Sequence, residues 1–493
     1  MVPQGLSDTM APRTAAPSRA AFLLTESPRP RWIREHPGGW WLAVATVCFG
    51  AFMGQLDASI ATLTYPALRT QFHTRLADVE WVSLAYLLAL VALLVPVGRL
   101  SDARGRKLMY LYGFIVFTAA SAACGFAPSL ATLIVFRLVQ AVGAALLQAN
   151  SVALVTTSAP RSRMRAALGV QAGAQALGLA LGPTLGGIIV SSLGWRWVFF
   201  VNIPVGVIAV VAGHYLLPRT RTHVSTASFD WPGLALLATA GTALLLGLSA
   251  ASGLGLAWPG VVALFVVAVG STWLFGRRLA RAAAPLVDPA LLRTRQIAAG
   301  LAGALGGYLV LFGPLALVPL VLTDAGTSLT TAGLVLTALP AGFAAGALCG
   351  DRLLPRSWSD RRRAAAGSAL AVLAAAALIP APFTTPWLIP LLALLGLGLG
   401  AFTPANNTLV MGAIPARAAG TGGGLVNMTR SLGTALGVAL VTLALNVAPD
   451  DRNAGTRWAA GALALVALGV YVSNLMHPRA ASTIPASRAS VEL

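Results

Sequence analysis

Apolar runs of about twenty residues alternate along this chain with short polar segments, and each run is long enough for one helix to cross a bilayer. The pattern predicts fourteen such helices, at about 40–62, 81–99, 108–126, 130–156, 167–191, 197–217, 231–250, 258–275, 297–321, 331–350, 364–382, 387–411, 421–446 and 457–476. Hydrocarbon offers no water to satisfy peptide groups, so these runs must close their hydrogen bonds internally as helices. The expected fold is an all-α integral membrane protein. The runs at 231–250 and 258–275 are closely linked and carry almost no polar residue, which reads as a lipid-facing pair inserted between two six-helix bundles. The expected organisation is a disordered cytoplasmic tail over 1–39 and a bundle over 40–217. An inserted pair with its linkers follows over 218–296, then a second bundle over 297–476 and a cytoplasmic tail over 477–493. The first 39 residues are rich in Pro, Ser and Arg and lack an apolar core of signal-peptide length, so no cleaved signal is expected.

Composition agrees with this reading. The chain has 493 residues, 57% hydrophobic and 10% charged, with a mean hydropathy of +0.78, which excludes a soluble protein. A net charge of +19 raises the question of nucleic acid. The basic residues answer it by their placement, in short clusters between spans rather than on one face. With the N-terminus inside, 27 of the 34 fall on the inner side, and only Arg69, Arg75, Arg196, Arg452 and Arg457 fall outside. That bias of about five to one is the positive-inside pattern, and it places both termini in the cytoplasm. The charge then reports topology and an anionic leaflet, not nucleic acid. Cys48, Cys124 and Cys349 all lie in predicted spans with no metal-ligand spacing, so packing is their expected role.

The densest polar stretch is Gly98-Arg99-Leu100-Ser101-Asp102-Ala103-Arg104-Gly105-Arg106-Lys107, between the second and third runs, where it must mark a membrane face. Gly346–Arg356 repeats it loosely in the second half. Asp57 is the one acid placed well inside a span, and an ionised carboxylate there calls for a partner, a proton or a water-filled cavity. Such a carboxyl can hold a proton or pair with a cationic substrate, in competition. Arg137 is permanently charged and can bias a nearby carboxylate or tie helices together; Gln140 lies one turn on, on the same face. Arg430 and Asn427 form a comparable polar stripe in the second half. The spacing of Gly178, Gly182 and Gly186 lays bare backbone along one helical stripe, and Pro183 removes a helix hydrogen bond beside it. Asn150, Asn406, Asn407, Gln148, Gln171 and Gln175 are candidates for lining a cavity or for tying helices together.

Several of these stretches carry a family resemblance. Gly98-x-x-x-Asp102-x-x-Gly105-Arg106-Lys107 resembles the cytoplasmic loop signature of the major facilitator superfamily. Leu133-x-x-x-Arg137-x-x-Gln140 resembles its intramembrane arginine motif, with Ala141 where glycine is usual. Gly169, Gly178, Gly182-Pro183 and Gly186-Gly187 resemble the antiporter signature of its exporters. Leu56-Asp57-Ala58-Ser59-Ile60 with Pro66, and Trp195 through Pro204, resemble the fourteen-span drug:proton antiporter branch, although its usual asparagine before the proline is missing. The resemblance implies two pseudo-symmetric bundles rocking about a central site. It also implies that Asp102, with Arg106, holds the bundles together on the cytoplasmic side. Electrostatics suggests the partner of Asp102, namely the free N–H groups at the inner end of the thirteenth span.

No phosphate loop, zinc spacing or nucleophile elbow occurs, so neither an enzyme nor an ATP-driven pump is expected, and no cofactor or metal. The expectation is a monomeric proton-driven exporter of amphipathic or cationic drug-like molecules. Export of a lipid or an endogenous secondary metabolite is the alternative, with proton symport for uptake after it.

Overall fold

The computed structural model describes residues 26, 28–220, 229–251, 256–355, 357–447 and 452–476, without the side chains at 76–77, 183–184, 323–324, 329–330, 351, 446–447 and 452. Residues 1–25 of the expected N-terminal tail, and all of the tail at 477–493, lie outside this description. Fourteen long helices follow one another: α1 (Gly39–Ile60), α2 (Leu76–Arg104), α3 (Arg106–Gly125), α4 (Leu130–Ser158), α5 (Met164–Ser192), α6 (Asn202–Leu216), α7 (Trp231–Ala251), α8 (Trp258–Arg281), α9 (Arg295–Asp324), α10 (Ala338–Leu353), α11 (Asp360–Ala377), α12 (Thr385–Ala413), α13 (Ala419–Val447) and α14 (Arg452–Leu475). Among the described residues, twelve helices are long and apolar enough to cross a membrane, or thirteen if the pair Arg161–Gly182 and Leu185–Ser192, bent by 40°, is one span. The expected count of fourteen is not met because α11 is only 18 residues long and opens on Asp360, Arg361, Arg362 and Arg363.

Helices α1–α6 form one bundle and α9–α14 the other. Lipid is as apolar as leucine, so the helices gain little by hiding apolar surface and associate through close backbone packing. Glycines supply it within each bundle: a Cβ at Gly143 would strike the Phe117 backbone, and one at Gly346 the Leu397 carbonyl. The two halves also share a device at their inner ends. Lys107, fully buried, donates from Nζ to the carbonyls of His214 (2.7 Å) and Leu217 (2.9 Å) at the end of α6. Arg361 donates to the carbonyl of Leu475 (2.5 Å) at the end of α14. In each half a basic residue at the start of the third helix closes off carbonyls left open at the end of the sixth.

Two expectations change here. The last part of the N-terminal stretch is packed against the bundle rather than free: Arg31–Glu35 is a short helix with Ile33 buried, and the Glu26 carboxylate accepts from Thr220 N (2.6 Å) and Thr220 Oγ1 (2.9 Å). The inserted pair is only half lipid-facing. Helix α8 exposes Val262, Val266, Val269 and Trp273, whereas α7 lies against both α2 and α13, across the seam between the bundles. Asp230 fixes the pair by capping α7 at Gly233 N (3.1 Å) and accepting from Arg278 Nε (3.1 Å) on α8.

Candidate functional site

Asp57 on α1 faces Arg137 on α4, and both side chains are sealed from solvent. Arg137 Nη1 donates to Asp57 Oδ2 at 2.6 Å and to Gln140 Oε1 at 2.6 Å, while its Nε donates to the Val82 carbonyl at 3.1 Å. Gln140 Nε2 donates in turn to Asp57 Oδ1 (2.9 Å) and Ser121 Oγ (2.8 Å). Asn202 on α6 donates to Asp57 Oδ1 at 3.1 Å. Three helices, α1, α4 and α6, thus meet at one carboxylate. The spacing of Arg137 and Gln140 put them on one face, and the fold brings Asp57 to that face, so of the partner, proton or cavity that its depth calls for it has the partner. Ser121 and Asn202 complete the network. Asn202 lies within the Trp195–Pro204 stretch of the branch resemblance, whereas nothing in the chain marks Ser121.

The Tyr86 ring covers this pair, with the Arg137 guanidinium 4.2 Å from its centroid. Tyr86 also lines a cavity of about 290 Å³ between the bundles. The walls come from both halves: Gln55, Gln148 and Gln175 from the first, Tyr308, Phe312, Asn427 and Arg430 from the second, and Leu245 and Leu248 from α7. Two of the glutamine candidates and the Asn427–Arg430 stripe therefore reach the cavity. Asn150, Asn406 and Asn407 do not, and the cavity expectation for them is corrected. Asn150 donates to Ser101 Oγ (2.8 Å) and Asn406 to the Gly300 carbonyl (2.9 Å), so they tie neighbouring helices; Asn407 is buried in α12 away from the cavity. Gln171 likewise bonds Ser151 Oγ (2.9 Å). The aromatic walls had no sequence signal, because a lone aromatic in an apolar span looks the same in packing as in a cavity.

Beyond the cavity, toward the 98–107 loop, the bundles are knit together. Asp102 Oδ1 accepts from Gly420 N (2.7 Å), and its Oδ2 from Thr421 N (2.8 Å) and Thr421 Oγ1 (2.7 Å), at the first residues of α13. Arg106 donates to Asp102 Oδ1 (2.8 Å) and to the Ala416 carbonyl (2.5 Å). A carboxylate here satisfies N–H groups that a helix start leaves open, in the field of its dipole. Gly98 and Gly105 serve this contact in different ways. A Cβ on Gly98 would strike the Gly420 carbonyl, and Gly105 turns between α2 and α3 at φ 105°, a conformation L side chains rarely adopt. Arg165–Asp360 (2.6 Å) and Asn427 to the Gln148 carbonyl (2.7 Å) add further ties. These ties hold the two bundles together at this end, so the contact is closed on the loop side.

The glycines of α5 divide between two partners. Gly169 abuts the Ala347 carbonyl of α10 in the other bundle, whereas Gly178, Gly182 and Gly186 abut α1 at Phe52, Ser59 and Ile60. The Pro183 side chain lies outside the described ones, and Gly187 has open space beside it. Gly178→Leu must push α1 and α5 apart at the Phe52 carbonyl, an overpacking of about 1–3 kcal/mol. Thermal unfolding of the purified variant should show a clearly lower midpoint, while Gly187→Ala leaves it unchanged. Equal midpoints would mean that the stripe packs loosely.

The model of the Major Facilitator Superfamily matches residues 47–438. The chain is 31% identical to the riboflavin transporter RibZ of Clostridioides difficile (strain 630) over 401 residues, covering 81% of this chain and 87% of that protein. It is 32% identical to the tetracenomycin C resistance and export protein of Streptomyces glaucescens over 428 residues, 83% of this chain and 78% of that one. The crystal structure of the human organic anion transporter MFSD10 (TETRAN) superposes with a TM-score of 0.65, at 18% identity, over 89% of this chain and 100% of that one, a likeness of fold. On these matches, together with its two six-helix bundles and the inserted pair, the chain is a multi-pass membrane protein belonging to the Major Facilitator Superfamily.

Proposed function

We propose that this chain is a proton-coupled exporter of drug-like amphipathic compounds from the cytoplasm. The observation that carries the reading is the cavity between the bundles, closed on the loop side and separated from the buried Asp57–Arg137 pair by the Tyr86 ring. The positive-inside pattern makes the loop side cytoplasmic, with both termini there, so the cavity in this conformation has been cut off from the interior. The likeness to the tetracenomycin C resistance and export protein favours efflux over uptake.

Coupling follows from competition at one carboxylate. A proton arriving at Asp57 cancels its charge and releases Arg137 from it. The guanidinium lies on Tyr86, so its displacement moves a wall of the cavity. Substrate occupancy and protonation thereby bias one two-state rocking of the bundles, with the proton gradient supplying the work. The chain performs no covalent chemistry in this cycle, needs no cofactor, and acts as a single copy.

A growth-inhibition panel in a pump-deficient host tests the reading first, and resistance to at least one hydrophobic antibiotic is expected. Everted vesicles with an inside-acid gradient should then accumulate that compound, with accumulation collapsing on addition of a protonophore. Accumulation indifferent to the protonophore would sink proton coupling.

A further inference from the structure

Arg430 is only 4% exposed, yet it has no acid beside it. Its Cζ lies 5.0 Å from the centroid of the Tyr308 ring, and Nη1 donates a long bond to Asn427 Oδ1 at 3.3 Å. Nε has no partner. Among the described residues no Asp or Glu pairs with Arg430, and none lines the cavity it faces. Arg137 in the other half shows the contrast, since its charge is met by Asp57 and its donors by Gln140 and the Val82 carbonyl.

A guanidinium cannot neutralise itself by losing a proton, and a buried charge without a counterion is strongly unfavourable. The second half therefore presents a fixed positive charge, with unused donors, at the wall of a cavity. The remaining wall is aliphatic side chains, the rings of Tyr86, Tyr308 and Phe312, and neutral amides and hydroxyls. Amides accept either sign of partner, so Arg430 sets the sign. An anionic oxygen pair meets a guanidinium in the bidentate geometry that gives its strongest hydrogen bonds, while an aromatic body stacks on the rings.

We propose that Arg430 is the recognition residue for an acidic group, so that the exported compound is an aromatic organic acid ionised at neutral pH. The proposal rests on the reading of this cavity as the transport site. It assigns the two arginines different work: Arg137 answers to the proton through Asp57, and Arg430 answers to the substrate.

Equilibrium titration of the detergent-purified full chain, with no gradient, tests this on a pair of probes differing only in charge, anthraquinone-2-carboxylate and anthraquinone-2-carboxamide. Charge-assisted hydrogen bonds predict a preference for the carboxylate of about tenfold or more. Arg430→Gln should erase the preference and leave carboxamide affinity near wild type, and Arg430→Lys, a point charge without the planar fork, should keep part of it. Equal wild-type affinities, no carboxylate binding, or a preference surviving in Arg430→Gln would overturn the proposal. The wild-type comparison needs no variant, so misfolding of Arg430→Gln cannot mask the result. Failure of proton coupling leaves this titration unchanged, whereas protonophore-sensitive export combined with equal affinities would leave the export reading standing and remove this one.

Discussion

Asp57→Asn reduces gradient-driven transport in everted vesicles to background while the protein still inserts. The amide keeps the size of the side chain and can still accept from Gln140 or Asn202, but it holds no charge and takes up no proton. It also leaves Arg137 buried and unpaired, and breaking a buried pair on one side costs about 3–5 kcal/mol, so the variant should melt well below wild type. Lost activity alone would therefore not separate coupling from stability. The double variant Asp57→Asn, Arg137→Gln does so by removing the orphaned charge. It is expected to regain most of the lost melting temperature and none of the transport. Gradient-driven transport restored in the double variant would make the pair a structural tie between α1 and α4.

Asp102→Asn is the second large effect, with transport falling about tenfold or more. The carboxylate meets two backbone N–H groups, the Thr421 hydroxyl and Arg106. Hydrogen bonds to a charged group contribute about 1.5–3 kcal/mol each, and the site is largely shielded from water. Arg165–Asp360, with side chains 29% and 25% exposed, is weakened by solvent and cannot compensate. Without the charge the closed contact loses its main polar anchor, and the population moves toward opening on the loop side. Spin labels at Arg104→Cys and Arg417→Cys, with Cys48, Cys124 and Cys349 replaced by alanine, report that opening as a new, longer distance. Gly98→Leu should produce the same shift by obstruction, because its side chain occupies the place of the Gly420 carbonyl. Unchanged distances and full transport in both variants would reduce the loop to a topological anchor.

The polar residues of this chain were informative in proportion to how strange they are in hydrocarbon. The depth of Asp57 called for a partner, a proton or a water-filled cavity, that of Arg137 for a nearby carboxylate or a tie between helices, and a helix start was the natural counterpart for Asp102. The neutral amides gave no such signal. Asn150 and Gln148 look alike in the sequence, yet one ties α4 to α2 and the other lines the cavity. Which of two faces a helix turns toward a gap depends on rotations that every neighbour constrains. The low polarity of α7 predicted a lipid-facing helix, and its seat at the seam was invisible because a bundle surface and a lipid tail make the same demands on a leucine.

By itself the sequence determined an all-helical membrane protein and the identities of the costly charged groups, since burying a peptide bond or a charge in lipid carries a penalty that composition and spacing must visibly answer. Only the tertiary structure decided which groups meet: that Asp57 is saturated by Arg137, Gln140 and Asn202, that Tyr86 separates this pair from the cavity, and that Arg430 faces the cavity without an acid. Those pairings join residues as many as 145 positions apart, and in a bilayer they are set by close packing between helices, which the local pattern along any one helix does not record.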